Sequence, residues 1–135
     1  MTPSPERIEE IGRLLLRNAE VEQSKVLIFA EFDDGWMGGV IRYLPDGGRQ
    51  LRSADFSQEL TVALMNAWDE AVAELGDGAW RGMIYVLDHG RVNVRLLYAD
   101  ELGGMDDHWT NTDRAVGSVF SGLDTERSDG SPPEF

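Results

Sequence analysis

The chain has two histidines and no cysteine, which removes disulfides, thiolate zinc sites, iron–sulfur ligation and cysteine nucleophiles together. His108 is the more suggestive histidine: it follows Asp106 and Asp107 and precedes Trp109, and a carboxylate beside an imidazole can ligate a metal or relay a proton. Two features weigh against that reading. Adjacent loop residues seldom aim at one centre, and neither H-x-x-x-H nor H-x-H spacing occurs. His89 lies between two strand-like stretches, where a polar residue tolerant of positive φ suits a hairpin tip. No G-x-S-x-G supplies a nucleophile. Gly47-Gly48 and Gly103-Gly104 lack the lysine of a phosphate loop and the spacing of a dinucleotide fingerprint. Asp33-Asp34-Gly35 begins like a calcium loop, but the ladder of oxygen ligands and the closing glutamate do not follow. The sequence therefore predicts no catalytic residue, no metal ligand set and no cofactor.

What the chain does carry is acid. Its 135 residues hold 25 Asp plus Glu against 12 Lys plus Arg, a formal charge of -13 with a pI near 4.4. Such a surface repels nucleic-acid backbones and anionic lipid and speeds association with basic surfaces. The expected macromolecular partner is thus a basic protein, with no nucleic acid and no membrane. The densest acid falls late, where Asp100, Glu101, Asp106, Asp107, Asp113, Asp124, Glu126 and Asp129 face only Arg114 and Arg127. Met105 and Trp109 stand among these carboxylates. A second acidic group, Glu31, Asp33 and Asp34, precedes Trp36. Carboxylates around an aromatic anchor suit docking into a basic pocket. The same pattern also suits a solvated loop whose tryptophan tucks onto the core, and acidity alone also serves solubility. The lack of cysteine fits a reducing compartment. Neither a basic leader with an apolar stretch nor a run of about 20 apolar residues is present, so a soluble, cytoplasmic protein is expected.

The elements that must position these residues follow from periodicity. Ser4 and Pro5 mark a helix start, with Ile8, Ile11, Leu14 and Leu15 at helical spacing and Asn18 or Val21 continuing it to about residue 21. Residues 25–32 and 37–44 read as strands joined at Asp33-Asp34-Gly35, and a short charged third strand is expected at 49–52 after the turn Pro45-Asp46-Gly47-Gly48. Asp55 or Ser57 opens a second helix with Leu60, Leu64, Trp68, Ala71, Val72 and Leu75 on one stripe and Gly76 at its end. Two more strands, 80–87 and 91–98, flank Asp88-His89-Gly90, and Ala115, Val116, Val119, Phe120 and Leu123 imply a last short helix. The expected fold is α+β: an antiparallel sheet of four or five strands in two hairpins, helices packed on one face, in the order α-β-β-(β)-α-β-β-α. Residues 1–123 form one domain and 124–135 a flexible acidic tail. On the second sheet face, Arg42, Asn93 and Arg95 imply solvent, whereas Tyr43, Tyr85 and Leu97 imply cover by a partner or a third helix.

This order of elements, with Asp33-Asp34-Gly35 at the first hairpin tip, Leu64, Trp68 and Leu75 on the helix, Trp80 opening a second hairpin that turns at Gly90, and Tyr98-Ala99-Asp100 at its end, resembles the YezG-like immunity family over about residues 5–123. The resemblance implies a small acidic bacterial antitoxin, with no active site of its own, that neutralises a cognate polymorphic toxin, often a nuclease, by binding it directly. The stretch around Arg49–Arg52 and the Gly103-Gly104 loop depart from the pattern.

Charge and aromatic placement, rather than any family motif, nominate the toxin-binding residues: Asp33, Asp34, Asp100, Glu101, Asp106 and Asp107 to pair with groove lysines and arginines, and Trp36 and Trp109 as apolar anchors. An alternative function is an acidic interaction or structural domain that forms a homodimer through a sheet face. A third, a small enzyme using Asp106, Asp107 and His108, has the thinnest ligand set.

Overall fold

The computed structural model describes residues 3–17, 25–33, 36–45, 50–102 and 108–120, with the backbone alone at His108 and Trp109. Ser4 caps the first helix, α1 (Pro5–Leu16), its hydroxyl accepting from the Arg7 amide at 3.2 Å, with Pro5 pre-set at the first position. Ser57 does the same for α2 (Gln58–Leu75), accepting from the Leu60 amide at 3.1 Å. The buried stripe of α2 alternates large and small, with Leu60, Leu64 and Trp68 interspersed by Ala63, Ala67 and Ala71, which lets the helix approach the sheet closely.

Five strands form one antiparallel sheet: β1 (Lys25–Asp33), β2 (Trp36–Leu44), β3 (Arg52–Ala54), β4 (Gly82–Asp88) and β5 (Arg91–Leu97), in the spatial order β3-β2-β1-β4-β5. The α+β fold and its order of elements are as the sequence implies. Helices α1 and α2 cover one face. Their core takes Val26, Ile28, Ala30 and Phe32 from β1, Ile41 and Tyr43 from β2, and Met83, Tyr85 and Leu87 from β4. A third helix, α3 (His108–Val119), lies on the opposite face, where Ala115, Val116 and Phe120 pack on Leu27, Phe29, Ile84 and Leu97. The cover that the sequence left open between a partner and a third helix is thus the helix, and the expected packing on one face holds for α1 and α2.

Several boundaries and orientations differ from expectation. The third strand forms at Arg52–Ala54 with a bridge at Gln50, not at 49–52. Trp80 precedes β4 instead of opening it. Tyr43 and Tyr85 belong to the α1/α2 core, not to the second face with Leu97: the strand period places each opposite its neighbours Arg42 and Ile84, and the Tyr85 hydroxyl, fully buried, donates to the Ile8 carbonyl at 2.8 Å. The last helix starts at His108, several residues earlier than its apolar spacing implies. Residues 18–24, where α1 was expected to continue, and the tail at 124–135 lie outside the described residues.

Arg7 ties the two helices together. Its Nε and Nη2 donate to Glu70 Oε1 at 2.9 and 2.6 Å, and Nη1 donates to Glu10 Oε1 at 2.8 Å. Glu70 first, then Glu10, hold its guanidinium pKa above the usual value, against a lowering by desolvation. At one end of the sheet Phe32 stacks on Trp68, ring centroids 5.8 Å apart, and meets Trp80 edge-on at 5.5 Å. The Trp68 indole donates to the Trp80 carbonyl at 2.8 Å. These aromatics close the core directly beneath Asp33. Among the described residues no helix is long and apolar enough to cross a membrane.

Two outcomes test this packing. Leu64→Ala, at a fully buried site, should lower unfolding free energy by about 2–5 kcal/mol in urea titrations, whereas Val62→Ala on the exposed side of α2 should stay within about 0.5 kcal/mol. Burial raises the Tyr85 pKa from 10.0 to about 12, so the folded state keeps a proton that the unfolded chain releases. The stabilisation is complete below pH 10 and falls away as pH rises toward about 12. Unfolding measured between those values should show a steeper loss for the parent than for Tyr85→Phe.

Candidate interaction surface

Strand register decides which of the nominated residues meet. Glu31 stands opposite Gly38 and Gly82, Gly82 opposite Leu97, and Asp33 opposite Trp36. The Phe32 amide donates to the Arg81 carbonyl at 2.9 Å, and the Arg81 amide donates to the Leu97 carbonyl at 2.8 Å. The β1–β2 tip, the segment entering β4 and the turn leaving β5 are therefore stitched side by side at one end of the sheet.

That turn is built around Glu101. Its amide and that of Leu102 donate to the Tyr98 carbonyl at 2.9 and 3.3 Å, while its own Oε1 accepts from the Tyr98 amide at 3.1 Å. Arg95 Nη2 stands 3.7 Å from Glu101 Oε2, and Arg114 of α3 donates to the Glu101 carbonyl at 3.4 Å. At the tip, Arg81 Nη1 donates to Asp33 Oδ1 at 3.0 Å. Both ion pairs are substantially exposed, so each contributes only about 0–1 kcal/mol and its carboxylate can exchange one cation for another at small cost. Asp100, at the crest of the turn, is exposed.

Helix α3 points its start at this same end. Its other end is fixed by Lys25, which donates to the Val119 carbonyl at 3.3 Å and lies 5.4 Å from the Phe120 ring centroid. Lys25 pairs with Leu44 and Asp88 at the far end of the sheet. Trp109 stands on the first turn of α3. Of the eight nominated residues, Asp33, Trp36, Asp100 and Glu101 thus share one end with the backbone of Trp109. Asp34, Asp106 and Asp107 lie outside the described residues.

The structure changes the role of individual members. Glu31, grouped with the acidic tip by sequence, is 5% exposed. Trp36 is half-buried and lies back along its own strand: a Cβ added at Gly38 would stand 2.5 Å from the indole, so the missing side chain there is what seats the ring. His89 occupies the second hairpin tip, with φ 49° and Nδ1 2.6 Å from Asp88 Oδ1. His108, read as a loop residue, begins α3 instead. Among the described residues no group of three or more His, Asp or Glu could hold a metal.

Sequence reasoning also missed Asn111 and Thr112, which are buried on α3. Among the described residues, neither amide atom of the Asn111 side chain finds a hydrogen-bond partner. The signal was available in the spacing, since Asn111 and Thr112 precede Ala115 and Val116 by one turn, but their polarity reads as loop.

Compared with protein-family models and with the curated proteins, the chain matches none.

An unpartnered buried amide carries a desolvation cost of about 1–3 kcal/mol. Asn111→Val, which removes both polar atoms without the larger volume of Leu, should therefore leave stability unchanged or raise it by about 1 kcal/mol in thermal or urea unfolding. A loss of comparable size would show that the amide is partnered in solution.

Proposed function

We propose that this chain is a non-enzymatic immunity protein or antitoxin that binds a basic toxin domain, of nuclease type, through the acidic end of its sheet. The observation that carries the reading is the convergence, at one end of one sheet, of the β1–β2 tip, the Tyr98–Leu102 turn and the start of α3, in a chain of net charge -13. A groove that handles nucleic acid must be lined with Lys and Arg, and an acidic surface both speeds encounter with it and competes with phosphate there. The rigid sheet end holds the carboxylates at fixed spacing, which reduces the ordering cost of binding. Asp100 supplies free charge, Asp33 and Glu101 supply charge that is exchangeable from Arg81 and Arg95, and Asp34, Asp106 and Asp107 extend the acidic sequence on either side. Trp36 and Trp109 are the apolar members of the set. The resemblance to YezG-like immunity proteins in order and spacing of elements supports the same reading. The alternative, an acidic interaction domain that associates with itself, is favoured by a different feature, the β5 edge, which no other described strand pairs.

Tagged protein drawn from its own source cells at low and then high salt, with mass spectrometry of what is retained, identifies the partner. The expected result is a single basic toxin-domain protein; retention of no specific partner, or of the chain alone, would overturn the inhibitor reading. With the toxin in hand, Asp100→Asn combined with Asp106→Asn and Asp107→Asn should slow association about 3- to 10-fold at low ionic strength and flatten its salt dependence, while the variant unfolds at the same temperature as the parent. An unchanged on-rate would remove these residues from the interface.

A further inference from the structure

The sheet has two edges, and they are finished differently. At one, β3 is three residues long and carries Arg52 and Ser53 exposed, the short, polar kind of edge that resists pairing. At the other, β5 runs seven residues, pairs with β4 without a bulge, and contains no proline. Val92 is 42% exposed, and Val94 and Leu96 are only partly buried on the α1/α2 side of the sheet.

The hairpin fixes which main-chain groups of β5 point outward. Its loop is two residues, His89 and Gly90, both at positive φ (49° and 85°), the conformation of a two-residue turn closed by a hydrogen-bonded pair, here Asp88 and Arg91. Hydrogen-bonded positions then alternate, so Arg91, Asn93, Arg95 and Leu97 bond inward to β4. Val92, Val94 and Leu96 direct their N–H and C=O groups away from the sheet. The residues with open main-chain groups are therefore the same three whose apolar side chains lie on one face.

We propose that β5 pairs antiparallel with β5 of a second copy, about a two-fold axis at Val94, to give one continuous sheet across the dimer. The strand is self-complementary in this register. Val94 meets its own counterpart, Val92 meets Leu96, and the outward groups of all three face each other, making about six main-chain hydrogen bonds. The axis is normal to the sheet, so the Val92, Val94 and Leu96 side chains of both copies fall on the same side as one apolar strip. On the other side Arg95 stands opposite Asn93, so no like charges are directly opposed, and Glu101 lies 3.7 Å from Arg95 to offset the remaining repulsion. A register slip by one residue would set outward groups against inward ones and lose the apolar match. A strip of one strand per copy is small beside a standard interface, which suits a weak, reversible dimer.

Sedimentation of the full chain from about 10 µM to about 500 µM should show a monomer–dimer equilibrium. Val94→Lys, which places two ammonium groups together on the axis, should weaken it at least about 10-fold, with the monomer still folded by far-ultraviolet circular dichroism. Val94→Pro should do the same, because the amide it removes makes no bond to β4. Hydrogen exchange gives the register: the Val92, Val94 and Leu96 amides should become protected as concentration rises, while those of Asn93 and Arg95 are protected throughout. The proposal is overturned by a monomer across the range, by dimers indifferent to Val94→Lys, or by Val92, Val94 and Leu96 amides protected at every concentration, which would mean that another part of the chain already covers the edge.

Discussion

Everything else in the fold hangs on the double burial of β1. From Val26 to Phe32 every residue of this strand is buried, its main chain pairing with β2 on one side and β4 on the other. Such a strand cannot exist unless both faces are covered. Val26, Ile28, Ala30 and Phe32 require α1 and α2; Leu27 and Phe29 require α3. The three helices are the consequence of one continuous apolar run, and each helix needs only one apolar stripe because the strand supplies the other half of each core.

The same strand sets the geometry of the acidic end. Because β1 stops at Asp33, immediately after Phe32 has closed the aromatic cluster with Trp68 and Trp80, the Asp33 carboxylate emerges where the core ends, whereas Glu31, two residues earlier, is still buried. Hydrogen bonds from Phe32 to Arg81 and from Arg81 to Leu97 carry that end point across to β5, so the turn at Tyr98–Leu102 is held at the same level. Charge is fixed in place there by the ladder beneath it. The ion pairs above the ladder, Arg81 with Asp33 and Arg95 with Glu101, orient the carboxylates without consuming them, since at the surface their gain is close to their desolvation and ordering cost.

The sequence made the strands and α2 legible because their cores are homogeneous: alternation in β2 and β5, a run in β1, and a leucine-alanine stripe in α2 all report burial directly. It hid what depends on polar groups being buried. Asn111 and Thr112 have modest helix propensity and read as loop, so α3 was legible only in its second half, where Ala115, Val116 and Val119 restore the period. Tyr43 and Tyr85 read as members of the second sheet face with Leu97, since nothing local indicates that Ile8, more than seventy residues away from Tyr85 in sequence, offers a carbonyl to its hydroxyl. Of the acidic surface, sequence supplied the members but not their meeting, which is a matter of register; Glu31 was grouped with them because one-residue alternation at a strand end is easily misjudged, and its burial follows from the parity it shares with Leu27 and Phe29.

A central strand buried on both faces also forces a choice about edges. Among the described residues the three helices are spent on the two faces of the five-stranded sheet, so each outermost strand must be made unattractive to other strands or be matched to one. At β3 the chain takes the first course, with brevity and charge. At β5 those devices are thin: two arginines, Arg91 and Arg95, point to the α3 side, while the α1/α2 side is Val92, Val94 and Leu96. The acidic end and the β5 edge are contiguous through Tyr98, yet they differ in kind, one offering charge on loops and the other main-chain groups on a strand. A partner drawn by long-range charge to the first need not displace a strand at the second, because Coulomb steering acts over about a Debye length and strand pairing only at hydrogen-bond distance. On the proposed reading, the loop carboxylates serve fast, salt-sensitive association and the β5 edge serves slower, register-specific pairing.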